Sequence, residues 1–381
     1  MNEQKPNGNL RTGVVFGGSG LIGGTVVNFY KQRRPGIVNI LAPSSKKVSL
    51  NNCQDIRSYL LSVRPDFVIN AAIANINADA CLEVNYIGAV NAARAAASLK
   101  IPYIFFSSAA ALPPGEGLGE ADTLPVTARL SNYAKSKLMA EETLRYMGQH
   151  EGLDYSCIRL GIVYGNHDHK IQGFHRLLFT IADESMPFLF TKKGCKHSYS
   201  NSRKIPYLIH HMLTHREEFG GQTFHFVDPV PTELADLIMT IKSELQLKAP
   251  RNFYVPYPVA RTATKSIRVI LRLLTKIGLK ASLPPELMFL GAFYRTQTLS
   301  CEKLLNSSYI DPFPNETVYT RLEEMLPYYL TRWTHQNLIT TFNEKITFDQ
   351  HIRDDFMNNP TALLDSIHQD ATAPFKEESF D

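Results

Sequence analysis

The chain predicts an α/β fold: a doubly wound parallel sheet joined to a smaller, mostly helical C-terminal domain. Three observations carry this. Short β-rich runs alternate with helical patterns through the first half, the βαβ rhythm of a parallel sheet covered on both faces. The first run, Thr12–Phe16, opens directly into a glycine-rich turn and then a helical pattern. After Gly165 the alternation weakens, as expected where a second domain begins.

The elements follow in order. Thr12-Gly13-Val14-Val15-Phe16 reads as a strand near 13–17. Val26, Val27, Phe29 and Tyr30 give a helical pattern near 20–33. Strands follow near 37–42, 66–71, 102–107 and 154–160, and helices near 53–63, 78–99 and 131–148. Leu112 to Leu130, with Pro113-Pro114-Gly115 and further glycines, reads as a loop over the site. Lys204–Ile209 and Gly221–Val227 read as strands returning to the first domain. The expected organisation is a tail at 1–10 and a nucleotide-binding domain at 11–165, with a returning segment at about 200–230. The substrate domain is expected from 166–199 and 231–345, and a C-terminal extension from 346–381. Residues 366–381 are polar, carry Pro374 and read as a loose tail.

Composition narrows the class. At 381 residues and 44% hydrophobic content, the chain can bury a large core. A net charge of +4 is too mild to imply nucleic acid. Five scattered cysteines, with no C-x-x-C, suggest reduced thiols and a cytoplasmic protein. Met1–Leu10 is polar and has no apolar signal-peptide core.

Chemistry concentrates in two places. Gly17-Gly18-Ser19-Gly20-Leu21-Ile22-Gly23 fits G-x-x-G-x-x-G between strand and helix. Glycines there allow a tight turn and close approach of a pyrophosphate to the helix N-terminus, where free N–H groups favour anions. Tyr133 and Lys137 sit one helical turn apart, on one face, with Ser108 ending an apolar strand 25 residues before Tyr133. A phenol titrates near ~10, so a neighbouring ammonium is expected to lower it. Serine, tyrosine and lysine together suit proton transfer at an oxygen while a hydride moves on the adjacent carbon. Ser107 reads as a strand-end hydroxyl or cofactor contact. Asn85, inside a helix where asparagine is unfavourable, reads as a buried hydrogen bond to the neighbouring strand or a water relay. His167-Asp168-His169 and His175 lack a second ligand cluster, and no metal is expected.

These motifs resemble the extended short-chain dehydrogenases/reductases, the group of nucleotide-sugar epimerases, dehydratases and reductases and of 3β-hydroxysteroid-type dehydrogenases. The resemblance covers roughly residues 11–235. It rests on the glycine motif, Asn70-Ala71-Ala72 after a strand, Val84–Asn91, Phe106-Ser107-Ser108, Tyr133…Lys137 and Arg159–Gly165. Residues 38–75 most resemble the dTDP-4-dehydrorhamnose reductase and GDP-fucose synthase branch.

The resemblance implies a Rossmann domain and an NAD(P)-dependent oxidoreductase. Tyr133 would move the proton, Lys137 would tune it and hold the nicotinamide ribose, and Ser108 would polarise the carbonyl. Implied cofactor contacts are Gly17, Gly20, Leu21, Ile22, Gly23, Ser44, Ser45, Asn70, Ala71, Ala72, Asn85, Ser107, Tyr133, Lys137, Leu160 and Val163. His210-His211 fall where relatives carry an Asp pair after a strand.

The end of the second strand reads Leu41-Ala42-Pro43-Ser44-Ser45-Lys46-Lys47, with no carboxylate to grip a ribose 2′-hydroxyl. Hydroxyls and cations there favour NADPH, with NAD as the alternative. Ala109-Ala110-Ala111 replace the acids of the 4,6-dehydratases and argue against dehydration. The expected substrate is a small molecule, a ketone or alcohol such as a nucleotide-linked keto sugar. Epimerisation and reduction of a lipidic or polyketide-like ketone are alternatives, and a non-catalytic nucleotide sensor is the reading from another class. A homodimer is expected. The pattern across 261–280, with Lys265, Arg268, Arg272, Lys276 and Lys280 against Ile270, Leu271 and Leu274, reads as a basic amphipathic helix. Packing on the substrate domain is preferred to peripheral membrane contact.

Overall fold

The computed structural model describes residues 11–75, 77–183, 186, 188–247, 254–262, 266, 290–336, 338–339 and 356–369. They fall into two compact units divided between Met325 and Leu326. The expected tail at 1–10 and nearly all of the basic helix at 261–280 lie outside the described residues. Among those described, no helix is long and apolar enough to cross a membrane.

The N-terminal unit is built on a six-stranded sheet. Its strands are β1 (Arg11–Phe16), β2 (Val38–Leu41), β3 (Phe67–Asn70), β4 (Tyr103–Ser108), β6 (Tyr155–Leu160) and β10 (Gln222–Phe226). The order is β10-β6-β4-β3-β1-β2 and every pairing is parallel. Chain order reverses between β1 and β3, which opens a crevice at the carboxyl ends of the strands.

Successive strand residues point to opposite faces, and here both faces are apolar. Val14, Phe16, Val68, Tyr103 and Phe105 pack with α2 (Cys53–Val63), α3 (Gly88–Leu99) and α4 (Asn132–His150). Val15, Ile69, Ile104, Phe106, Ile158 and Leu160 pack on the other side. There they meet α1 (Leu21–Asn28) and α6 (Ile205–Thr214); α5 is Gly173–Ala182. Alanines 89, 92, 93 and 96 give α3 a buried face with little bulk, so it can lie close to the sheet.

Caps fix the helix ends. The Asn52 side chain accepts from Gln54 and Asp55 at the start of α2, and Ser131 accepts from Ala134 at the start of α4. α2 and α3 end on Arg64 and Lys100, both in the left-handed conformation.

Three expectations are corrected. Lys204–Ile209 is no strand; Ile205–Thr214 is helix α6. Ile205, Leu208, Ile209, Met212 and Leu213 are buried, which is a helical stripe, and Pro206 sits in the first turn, where its missing N–H costs nothing. The strand lies earlier, at β9 (Tyr199–Asn201), paired with β7 (Ile162–Tyr164). The residues after it are Ser202-Arg203-Lys204, and His210-His211 lie inside helix α6. Lys204 is buried and bound to Asp311 (2.8 Å) and to the Glu316 carbonyl (3.0 Å).

The loop at 112–130 contains a strand, β5 (Gly115–Leu118). It joins a small sheet with β8 (Lys196–His197), β11 (Thr232–Glu233) and β12 (Gln297–Leu299) in the order β11-β8-β12-β5. α7 (Leu234–Glu244) follows β11. In the C-terminal unit, residues 366–369 of the expected tail belong to a helix, α8 (Pro360–Gln369), and the rest of that tail lies outside the described residues.

Candidate active site

The glycine turn between β1 and α1 is packed so tightly that two of its glycines are obligatory. Gly17 has φ +79, and a Cβ there would meet the Ala72 nitrogen at 2.5 Å and the Ala71 oxygen at 2.7 Å. A Cβ on Gly23 would meet the Gly17 oxygen at 2.3 Å. Gly20 differs: nothing but the Gly17 oxygen, at 3.5 Å, lies near its Cβ position. That open side lies at the N-terminus of α1, which no side chain caps. The first-turn amides of Leu21 and Ile22 are therefore placed to meet an anion. The cradle fits the pyrophosphate of a dinucleotide.

The wall facing Gly17 is the Asn70-Ala71-Ala72 turn. Asn70 is buried; its carbonyl oxygen accepts from the Ala72 N–H (3.1 Å) and its amide donates to the Tyr103 hydroxyl (2.9 Å). Asn85 serves the same wall. Its amide donates to the Ala74 carbonyl (2.6 Å) and to Ser136 (3.0 Å), and its oxygen accepts from the Ala74 N–H (2.9 Å). Asn85 therefore ties the loop after β3 to α4, which accounts for an asparagine inside a helix. Ser44 and Ser45 lie in an exposed turn after β2, closed by bonds from Lys47 and Val48 to the Ser44 carbonyl. Leu160 ends β6 opposite Ser108, and Val163 lies in β7.

Ser108 ends β4 at the carboxyl edge of the sheet. Its Oγ accepts from the Ala110 N–H (3.2 Å), so its own proton is free to point into the site. Tyr133, in the first turn of α4, is in side-chain contact with it. Burial pushes the Tyr133 phenol up, the Ser108 contact works against that, and Cys81 adds a smaller upward push. This corrects the expectation that Lys137 would lower the phenol's pKa. The Lys137 ammonium is 2% exposed, donates to the Phe106 carbonyl (2.8 Å) and lies over the Phe105 ring (4.7 Å). Burial brings its own pKa down to about 8, against upward pushes from Cys157, Glu141 and Cys81. It has turned to the strand carbonyl, where it has a partner, and Tyr133 itself is half-buried.

Ser107, one residue back, points to the opposite face of the sheet. It is 4% exposed and its Oγ has no hydrogen-bond partner among the described residues. Ser108→Ala is expected to lower turnover roughly tenfold to a hundredfold, the worth of one hydrogen bond to a developing charge. Ser107→Ala removes an unpaired hydroxyl and should leave turnover within about twofold. Steady-state kinetics on both variants checks the order; the reverse order moves the reacting serine to position 107.

Several neighbours were not anticipated. Glu141, one turn beyond Lys137, forms a buried ion pair with Arg159 of β6 (2.6 Å). Gln297, on β12, reaches the segment after Ser108. A cavity of about 580 Å³ is lined by Thr191, Lys192, Lys193, Tyr254, Val255, Pro256, Tyr257, Tyr294 and Arg295. The i+4 spacing of Lys137 and Glu141 was readable in the sequence; the others carry no local signal. Among the described residues, no three His, Cys, Asp or Glu side chains are grouped to hold a metal ion. His175 Nδ1 lies 3.1 Å from the Lys170 carbonyl oxygen.

The sequence pattern of the NAD dependent epimerase/dehydratase family matches residues 14–186, the stretch that carries the glycine cradle, Ser108, Tyr133 and Lys137. These residues belong to that family. That stretch is similar to the family's NAD-dependent epimerases and dehydratases. No curated protein matches the chain in sequence.

Solved structures match over longer stretches. A dTDP-4-dehydrorhamnose reductase from Clostridium acetobutylicum is 16% identical, over 84% of this chain and 99% of its own, with a TM-score of 0.60. A dTDP-glucose 4,6-dehydratase from Bacillus anthracis in complex with NAD is 14% identical, over 85% and 98%, with a TM-score of 0.61. A UDP-glucose 4-epimerase from Thermus thermophilus, also with NAD, is 19% identical over 66% and 93%, with a TM-score of 0.51. At these identities the likeness establishes the fold. The family's NAD dependence agrees with the cradle.

Proposed function

We propose that this enzyme reduces the ketone of a nucleotide-linked keto sugar, or oxidises the corresponding alcohol. The observation that carries the reading is the Ser108–Tyr133 contact at the carboxyl edge of β4, beside a cradle that only glycine permits. Ser108 donates to the carbonyl oxygen and Tyr133 supplies the proton that makes it a hydroxyl. A bound nicotinamide supplies the hydride. Lys137, one turn along the same helix face, brings a buried positive charge to the Phe106 carbonyl beside the site. Ala109-Ala110-Ala111 have no acid to expel water, which favours simple redox chemistry over dehydration.

The cavity supports a nucleotide-linked substrate. Exposed Lys192, Lys193 and Arg295 at its rim suit a diphosphate. Tyr257 and Tyr294, with rings 5.1 Å apart, offer aromatic faces to a base. Arg295 is two residues before Gln297, whose side chain touches the segment after Ser108, so one short stretch of chain links the cavity rim to that segment. The solved relatives named above are named for dTDP- and UDP-linked sugars.

For the cofactor we propose NADPH over NADH. Ser44, Ser45, Lys46 and Lys47 are all exposed beyond β2, where a ribose 2′-phosphate would fall, and each charge-assisted contact contributes roughly 1.5–3 kcal/mol. Fluorescence titration should show NADPH binding about tenfold or more tighter; equal affinities remove the role of these residues.

The reaction is tested by following NADPH oxidation with a dTDP-linked 4-keto-6-deoxy sugar. Consumption of one cofactor per product supports reduction. Sugar conversion without net cofactor consumption replaces it with epimerisation. Nucleotide binding without any conversion replaces it with a sensor.

A further inference from the structure

Ser108 is held by a turn that cannot hold itself. After Ser108 come Ala109-Ala110-Ala111, one 3₁₀ turn, then Leu112 and two prolines. The alanines offer no side-chain bonds and the prolines no N–H groups. Ser108 Oγ closes the front of the turn by accepting from Ala110, and the Leu112 N–H closes its back on the Ala109 carbonyl (2.9 Å).

The Ala111 carbonyl takes the Leu124 N–H (2.9 Å), and the Leu112 and Pro113 carbonyls find their donor far along the chain. The Gln297 side-chain amide lies within hydrogen-bond distance of the carbonyls of Ala109 (3.1 Å), Leu112 (2.9 Å) and Pro113 (3.1 Å). Its backbone is fixed independently: β12 pairs with β5 through Gly115 and with β8 through His197. A single NH₂ group thus sits among three carbonyl oxygens, at both ends of the turn that orients Ser108.

We propose that Gln297 is a positioning residue for Ser108: its amide clamps the turn at 109–113 so that the serine hydroxyl faces Tyr133. The proposal rests on the reading of Ser108 as the group that polarises the substrate carbonyl. Gln297 touches no reacting atom and acts only through the serine. The length of the side chain and its donor character both matter. A carboxylate at this position would face three carbonyl oxygens with nothing to donate.

Two measurements on the full chain test it. In the ligand-free protein, amide hydrogen exchange in the peptide covering 109–112 should become about tenfold faster in Gln297→Met, while Gly115 and Ser300, bonded through β5 and β12, keep their protection. With NADPH and a dTDP-linked 4-keto-6-deoxy sugar, Gln297→Met should lower kcat about tenfold, with NADPH affinity and the sugar KM within about twofold of wild type. In a Ser108→Ala background the same change should cost less than about twofold, because the group it positions is gone. Should Gln297→Met not fold, Gln297→Asn withdraws the amide by one methylene and is read in the same two ways.

Unchanged exchange at 109–112 overturns the clamp. A full tenfold cost in the Ser108→Ala background overturns action through the serine. Wild-type protein that does not convert the sugar overturns the proposed function instead, and the exchange measurement still decides on the clamp.

Discussion

Tyr133→Phe is expected to lower turnover by at least ~10²-fold while leaving NADPH affinity unchanged, because it deletes one ionisable oxygen and no packing. The structure gives this prediction a pH signature. Burial raises the phenol above its ordinary value near ~10, with Ser108 opposing and Cys81 adding to the rise. At neutral pH the group is then almost wholly protonated, which suits giving a proton to a reduced carbonyl. Ketone reduction should accordingly be flat from about pH 6 to 7, below the value of about 8 to which burial brings Lys137, and fall as that ammonium and then the phenol lose their protons. Alcohol oxidation needs the phenolate, so its rate should climb tenfold per pH unit across the same range. Both limbs should vanish in Tyr133→Phe. A variant with wild-type turnover, or an oxidation rate that is flat in pH, sinks the assignment of Tyr133 as the proton carrier.

The parts of the fold that were readable from the sequence are those in which local pattern and tertiary role coincide. β1, the glycine turn and α1 announce themselves because a strand, three glycines at fixed offsets and a helical stripe all point to one crevice. Gly17 and Gly23 are confirmed as positions without room for a Cβ. α6 is hidden in the sequence because Ile205, Leu208 and Ile209 look like a strand over six residues. The period of 3.6 shows only once Met212 and Leu213 are included, and Pro206 near its start is a helix-opening signal. β9, only three residues long and polar at Ser200 and Asn201, carries no periodicity to read. The electrostatics of Tyr133 and Lys137 are not legible in the sequence for a different reason. Their i+4 spacing is fixed by the helix, but where the ammonium turns is set by the Phe106 carbonyl on another element. Gln297 was beyond reach altogether, since its partners lie more than 180 residues earlier.

Glu141→Ala is expected to destabilise the ligand-free protein by about 3–5 kcal/mol, the usual consequence of stranding one member of a buried ion pair. Arg159 is 3% exposed in the middle of the sheet and Glu141 7% exposed on α4. The guanidinium holds the carboxylate by its Nε (3.0 and 3.1 Å) and Nη2 (2.6 Å), and its Nη1 donates to the Glu120 carbonyl (2.7 Å). Burial alone would lower the Arg159 pKa, but hydrogen bonding and charge from Glu141 outweigh it and the net direction is upward. Removing Glu141 leaves only the downward push of burial, but a guanidinium's ordinary pKa lies so far above neutral that the charge stays in the core. Glu141→Gln keeps one acceptor and should cost less. Replacing both residues, Glu141→Leu with Arg159→Met, removes the charge along with its partner and should restore much of the loss. Urea unfolding at pH 7, read as a shift in midpoint at constant slope, measures all three. A Glu141→Ala protein within about 1 kcal/mol of wild type would mean that water reaches Arg159 and that the pair is not buried. The stripe Tyr133, Lys137, Glu141 occupies one face of α4, so the ion pair at its far end also fixes the helix on which the proton carrier stands.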